Sequence, residues 1–308
     1  MSEQNETINV KLGMGWLPDY PDFRDYTYEK DDLAPRLKIL GEKDTVKDMI
    51  KKLKLTEPVK VGIPATKDLR AWCSPIEDQL TLGSCTAQAG VGLMEYFERK
   101  AFGKHIDASK LFLYKTTRNL LQWAGDTGAF LRTTMAAMVL FGVPPERYWL
   151  YIVPNFDMEP SAFLYSYAQN YQAIQYCRLD PLGVAKNMLL QRIKNCIAAS
   201  IPSMFGFTVF SSIRQAAKDG KIPFPCKGEK ILGGHAVVAV GYDDKMKIKN
   251  DICGKETTGA LLIRNSWGTG WGDKGYGWLP YEYVTEGLAR DWWILLKNEW
   301  VDTKQFGL

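Results

Sequence analysis

Near residue 200 the apolar positions of this chain change their rhythm. Between Cys85 and about Arg99, Ala89, Val91, Leu93, Met94 and Phe97 recur at helical spacing and predict a long, largely buried helix. Similar patterns predict helices over 108–121, 131–141 and 181–199, separated by short loops marked by Gly and Pro. Beyond residue 200 the pattern becomes brief apolar runs of β-branched and aromatic residues. Those at 201–210, 235–242 and 259–264, bounded by Gly, Pro and Asp, predict strands. A helical half followed by a strand-rich half predicts an α+β protein with two lobes and a cleft between them.

Residues 1–62 read differently. The stretch Gly15 to Tyr26 is rich in Pro, Asp and aromatics and has no helical period, which predicts an extended strap that must lie on something. A charged amphipathic helix follows over about 45–54, with Lys51, Lys52 and Lys54 on its solvated face. Ile63-Pro64 then opens a new section. The predicted organisation is a leader, 1–62, ahead of one domain, 63–308, with a helical lobe to about 200 and a β-rich lobe after it. At this level the leader is equally well a decoration or a cover for the cleft.

Composition narrows the function classes. With 308 residues and a net charge of +4, the chain is long enough for a substantial core and too weakly charged to call for a nucleic-acid partner. No apolar run reaches the length of a membrane span, so no membrane partner is expected. The polar, acidic N-terminus is not a secretory signal, which predicts a cytoplasmic protein, a non-classically exported one or a trimmed one. Six cysteines are too sparse for a disulfide framework. Cys73, Cys177, Cys196, Cys226 and Cys253 read most simply as structural or free thiols; a bridge among them is open, and the sequence does not say which two it would join. No cofactor and no metal is called for.

The sixth cysteine stands apart. In Asp78-Gln79-Leu80-Thr81-Leu82-Gly83-Ser84-Cys85, a thiol falls at the first turn of the predicted helix after a flexible Gly-Ser step. Unpaired N–H groups at a helix start favour a thiolate and can hold a developing oxyanion, to which the Gln79 amide adds a second donor. A nucleophile there needs a base, and the chain has two histidines. His105 lies past the end of the Cys85 helix, about 30 Å away at 1.5 Å per residue, and reads as a surface or turn residue. His235, after Gly233-Gly234, starts a buried strand where glycines let another backbone approach. Asn265, in Asn265-Ser266-Trp267-Gly268, supplies an amide oxygen for the second imidazole N–H, and Trp267 can shield that bond.

These three elements, with Val240-Gly241-Tyr242 and Trp271-Gly272, resemble the papain-like cysteine peptidases. The interval from Cys85 to His235 falls within the about 130–150 residues typical of papain, and Asp68-Leu69-Arg70 is similar to the start of mature members. The resemblance covers about residue 63 to the C-terminus. It implies a papain-like two-lobe fold, a helical N-terminal lobe and an antiparallel β-barrel-like C-terminal lobe. It further implies Cys85 as nucleophile, His235 as base and later acid, Asn265 as orienter, and Gln79 with the Cys85 N–H as oxyanion hole. The implied chemistry is peptide hydrolysis through a thioester, with a thiolate–imidazolium pair at rest. The implied partners are a peptide or protein substrate and the chain's own leader as intramolecular inhibitor.

The sequence also departs from the family pattern. Thr86 follows Cys85 where the family has Trp, and Leu82 replaces a cysteine that is usually bridged. The long leader helix of eukaryotic members is missing. These departures imply a prokaryotic or viral-type branch that need not be oxidised to fold. By the same resemblance Gly206 is the floor of a pocket for the second residue before the cut, with Gly128 and Ala236 as walls and Gly234 and Trp267 nearby. The backbone contact to substrate falls to Gly128, and three small residues imply a roomy apolar pocket for Leu, Phe or Tyr. Two other readings are a catalytically silent binding module and an enzyme passing the acyl group to an amine.

Overall fold

The structure is a computed structural model and describes residues 13–31, 33, 38, 43–55 and 62–300, with Ile174 and the last four by backbone alone. The polar N-terminal stretch 1–12 lies outside the described residues. In chain order the elements are α1 (Val46–Lys52), β1 (Thr66–Asp68), α2 (Cys85–Phe102), α3 (Lys110–Leu121), α4 (Leu131–Leu140), α5 (Ala162–Ala168) and β2 (Tyr171–Arg178). Then come α6 (Lys186–Ala198), β3 (Ser203–Phe210), β4 (Ile231–Lys249), β5 (Glu256–Arg264), β6 (Tyr276–Pro280), α7 (Glu282–Thr285) and β7 (Ala289–Trp300).

Local chemistry explains where the helices begin. At α1 the Thr45 hydroxyl accepts the Asp48 N–H while the Asp48 carboxylate accepts the Thr45 N–H, a reciprocal cap that satisfies two orphan donors. At α3 the Ser109 hydroxyl accepts the Phe112 N–H. The predicted helix over 181–199 starts only at Lys186, because Pro181-Leu182-Gly183 turns the chain, with Gly183 at φ +86°.

The predicted long helix is α2. Almost every residue of its first three turns is buried, as it runs between β4 and the helices α3 and α4. Two glycines that cost helix stability, about 1 kcal/mol each, are needed for packing. A Cβ on Gly90 would lie 2.9 Å from the Met138 sulfur, and one on Gly92 3.1 Å from the Arg264 guanidinium. Arg264 is buried and donates to the Ser74 hydroxyl and the Pro75 carbonyl.

The protein is α+β. Its sheet is antiparallel, in the order β2-β7-β3-β4-β5-β6, and β1 pairs with β4. Helix-rich and strand-rich parts are less segregated along the chain than the apolar rhythm predicts, since β1 and β2 precede residue 200 and join this sheet. β1 has three residues, too few for a period to register, and β2 pairs with β7, more than a hundred residues later. Among the described residues the sheet does not close into the expected barrel. β2 and β6 end the sheet without pairing to each other, one beside α4 and the other bridged to Lys221. Covering an edge is an alternative to closing it.

One disulfide, whose pairing the sequence left open, joins Cys226 to Cys253, while Cys73, Cys85, Cys177 and Cys196 are free and buried. The bridge spans 27 positions, and closing a loop of that size stabilises a fold by about 3–4 kcal/mol. Replacing both cysteines by serine should therefore lower the calorimetric melting temperature by several degrees. An unchanged melting point under non-reducing conditions would show that the bridge contributes nothing. Among the described residues no helix is long and apolar enough to cross a membrane, and no group of three or more His, Cys, Asp or Glu is placed to hold a metal.

Candidate active site

Cys85 is the first residue of α2, and the turn before it is pinned from several sides. Gly83 donates its N–H to Asp126 at 2.9 Å, and Asp126 also accepts the Tyr114 hydroxyl at 2.6 Å. Tyr151 donates to the Gln79 carbonyl at 3.0 Å, so its 2.7 Å contact with Ser84 is a hydrogen bond from the serine hydroxyl. The Gln79 N–H donates to the Ser266 carbonyl at 2.9 Å, tying this turn to the one after β5. Tyr114, Asp126, Tyr151 and Ser266 hold the site in shape, and none was among the sequence candidates. Their signal is tertiary, since each acts on a partner distant in sequence.

His235 lies on β4 opposite Phe207 and is fully buried. Its Nε2 is 2.7 Å from Asn265 Oδ1. The same oxygen accepts the Ser266 N–H at 2.8 Å, which fixes the amide with its oxygen toward the ring. Nε2 is therefore the protonated nitrogen of the neutral imidazole. Nδ1 keeps its lone pair and finds no hydrogen-bond partner among the described residues. Trp267 stacks on the imidazole, centroids 4.2 Å apart, and Trp271 meets Trp267 edge-on. Trp267 thus covers one face of the imidazole, and both indoles are buried.

The thiol lies against the residue next to His235, for the backbone N–H groups of Ala236 and Thr86 act on Cys85 in the direction of the thiolate. Gln79 donates Nε2 to the Leu82 carbonyl at 2.8 Å and accepts the Ser266 hydroxyl at 2.6 Å. The amide is thus aimed, with its second N–H still available. Asn265 and Ser266, consecutive residues, orient the imidazole and the glutamine respectively. The structure pairs His235 with Asn265, ties Gln79 to the same turn through Ser266 and sets the Cys85 thiol against Ala236, the neighbour of His235; His105 lies past the end of α2.

Residues 13–17 of the N-terminal segment run over the Cys85 sulfur. The Gly15 and Trp16 N–H groups are among those acting on the Cys85 sulfur. The Trp16 N–H donates to the Gly234 carbonyl at 3.1 Å, and Ala129 exchanges hydrogen bonds with Gly15 and Leu17. This contact uses the Ala129 backbone rather than that of Gly128, whose missing side chain instead admits the Gly15 carbonyl: a Cβ there would lie 2.2 Å from that oxygen. Trp267 donates to the Gly13 carbonyl at 2.9 Å. The Trp16 indole lies on Gly206, where a Cβ would come within 1.9 Å of the ring, and it also covers Gly234.

Burial by this strap changes the electrostatics. Burial pushes the Cys85 thiol up to about 11, outweighing the N–H groups that favour its thiolate. Burial also lowers His235 to about 4, against the opposing Asn265 hydrogen bond. The leader-covered form therefore favours a neutral thiol beside a neutral imidazole, not the expected resting ion pair, because neither charge is solvated beneath the strap.

Beyond Trp16 the leader is clamped by two arginines. Arg132 donates to both oxygens of Asp25, at 2.7 and 3.0 Å, and pairs with Asp19. The buried Arg178 reaches Asp25 at 3.3 Å, Asp180 at 2.9 Å and Asp291 at 3.4 Å.

The comparisons with known proteins agree with this geometry. The family model of papain family cysteine proteases matches residues 63–295. An uncharacterized peptidase C1-like protein of Acanthamoeba polyphaga mimivirus is 31% identical over 302 residues, 94% of this chain and 88% of that one. The thiol protease aleurain of Arabidopsis thaliana is 26% identical over 284 residues, covering 89% and 68%. Among solved structures, xylellain, a cysteine protease from Xylella fastidiosa, superposes with a TM-score of 0.69 at 30% identity, covering 92% of this chain and 96% of that one. With the family model matching most of its length, and viral and bacterial relatives beside it, this chain belongs to the papain family and is a papain-like cysteine peptidase.

Proposed function

We propose that this peptidase is an endopeptidase made as a zymogen, residues 1–62 forming the blocking leader and 63–308 the peptidase domain. The observation that carries the chemistry is the tautomer of His235. With Nε2–H held by Asn265, the open Nδ1 lone pair is left to act beside a sulfur that lies at a helix start. Cys85 passes its proton to Nδ1, and the sulfur attacks the peptide carbonyl carbon. The oxyanion is met by the free Gln79 N–H and the Cys85 backbone N–H. As the C–N bond breaks, the imidazolium returns the proton to the leaving amine. Water, deprotonated by His235, then hydrolyses the thioester.

The run of the leader supports its inhibitory role. With the residue before the cut at the sulfur and its predecessor on Gly206, a substrate passes from the Gly206 pocket to Cys85 and on toward Trp267. The leader passes Trp267 with Gly13, Cys85 with Gly15, and enters the pocket with Trp16. Its direction is reversed, so it fills the cleft without presenting a peptide bond as substrate does.

His235 transfers protons, while Asn265 is a positioning residue. His235→Ala should lower kcat/KM by about 10⁴. Asn265→Ala should cost about ten- to a hundred-fold, the equivalent of one charge-assisted hydrogen bond. Parallel measurement of kcat/KM and far-UV circular dichroism checks both. Equal, total losses with a preserved fold would remove the distinction drawn between the two roles.

A further inference from the structure

The two arginines that clamp the leader differ in what they keep without it. The Trp16 indole N–H donates to the buried Asp291 at 3.2 Å, and the stretch that follows lies against Arg132 and Arg178. Arg178 meets Asp25 and the Asp19 carbonyl, at 3.3 and 3.1 Å, but it also holds Asp180 and Asp291, both outside the leader. Arg132, on the first turn of α4, is half-buried. Among the described residues each hydrogen bond of its guanidinium ends on the leader: on Asp19, on the Tyr20 carbonyl at 2.6 Å and on both Asp25 oxygens. Departure of the leader therefore leaves Arg178 paired and Arg132 without an anion. A half-buried guanidinium is short of water and gains from a carboxylate that meets its fork.

The leader also measures the distance to this cation. Ala129 exchanges hydrogen bonds with Gly15 and Leu17, so the chain is extended there. Asp19 follows Trp16 by three residues, a span of about 10 Å. With Trp16 in the place of the second residue before the cut, Asp19 stands where the fifth would.

We propose that Arg132 is a docking cation for substrate, selecting peptides and proteins that carry an acidic residue at or beside the fifth position before the cut. This rests on the peptidase reading above and on the leader tracing the substrate's path in reverse. The cation stands away from the sulfur, so it strengthens binding without entering proton transfer, and its effect falls on KM rather than kcat. A basic residue at the same place is repelled. Asp19 and Asp25 are then the leader's own copies of the acidic signal, so that leader and acidic substrate exclude each other from one guanidinium.

The test keeps the whole chain and opens it by Trp16→Gly/Asp19→Asn/Asp25→Asn. Peptidyl coumarin amides with leucine second before the cut carry one Asp, Asn or Lys at the fourth, fifth or sixth position. At the best of these, kcat/KM for Asp should exceed that for its isostere Asn about five- to tenfold. The ratio should shrink as salt rises from about 0.05 to about 0.5 M. Adding Arg132→Gln should bring it to about one, and adding Arg132→Glu should put the Lys peptide ahead of the Asp peptide. Should the opened chain not fold, Trp16→Gly/Asp19→Asn, which frees the Arg132 Nη1 and leaves the buried Asp25 in place, decides by the same ratio. Turnover with a ratio near one at all three positions, or a ratio that survives Arg132→Gln, overturns the proposal and leaves hydrolysis standing. Without turnover, calorimetric titration of the same peptides, as simple amides, into the opened chain with Cys85→Ala decides. A preference for Asp over Asn there keeps the docking cation and sinks the hydrolytic reading, and equal binding overturns the docking cation as well.

Discussion

Cys85→Ala is expected to abolish peptide cleavage, a loss of about 10⁶-fold by analogy with removal of the nucleophile in other covalent hydrolases. Nothing else near the cleft replaces the sulfur. The other free thiols, Cys73, Cys177 and Cys196, are structural: Cys73 bonds the Leu69 carbonyl and Cys196 contacts the Tyr28 hydroxyl. The substitution removes one atom from the first helical position and installs the best helix former there, so the fold should survive. The checks are hydrolysis of a fluorogenic peptide, mass-resolved alkylation of native thiols and a thermal melt. Cleavage persisting at the parent rate in pure Cys85→Ala protein would refute the nucleophile assignment.

The second large effect is release of the strap. Trp16→Ala in the full chain should raise both peptide turnover and Cys85 alkylation by about 10²–10³-fold. The substitution forfeits a buried indole, about 3–5 kcal/mol, and with it the hydrogen bond to Asp291. Acid should act in the same direction. His235 sits below its ordinary value, at about 4, when the leader covers it, so the covered form binds fewer protons than an open form with an ordinary imidazole. Falling pH between 6.5 and about 4 therefore favours opening, by at most about tenfold per unit. Alkylation rates of the parent and Trp16→Ala chains at pH 5, 6 and 7 measure both effects, and equal rates in the two chains would rule out a blocking strap.

What was legible in the sequence was local. A thiol after Gly83-Ser84 at the head of an apolar helix, a histidine opening a buried β-branched run, and Asn265 before Trp267 each carry their signal within a dozen residues. In the structure His235 meets Asn265, and the Cys85 thiol lies against Ala236. The strap was legible as an aromatic, proline-rich segment lacking any period, but not what it covers, because Trp16 finds Gly206 and Asp291 only through the fold. β2 and β7 were hidden for the same reason, as edge and neighbour strands defined by a partner far along the chain. Nothing local in Arg290-Asp291-Trp292-Trp293 marks Asp291 as the acceptor of the Trp16 indole N–H, and the Cys226–Cys253 pairing joins residues 27 positions apart. The neutral state of the thiol and imidazole depended on the strap's burial of both.

Asn265 and Ser266 give the site a common mount. One peptide unit carries both the oxygen that aims the imidazole and the hydroxyl that aims the Gln79 amide. Proton transfer and charge stabilisation thus share a single mechanical adjustment. Any displacement of that turn detunes the two together, so changes introduced there trade off neither function against the other and will be read in kinetics as one inseparable loss.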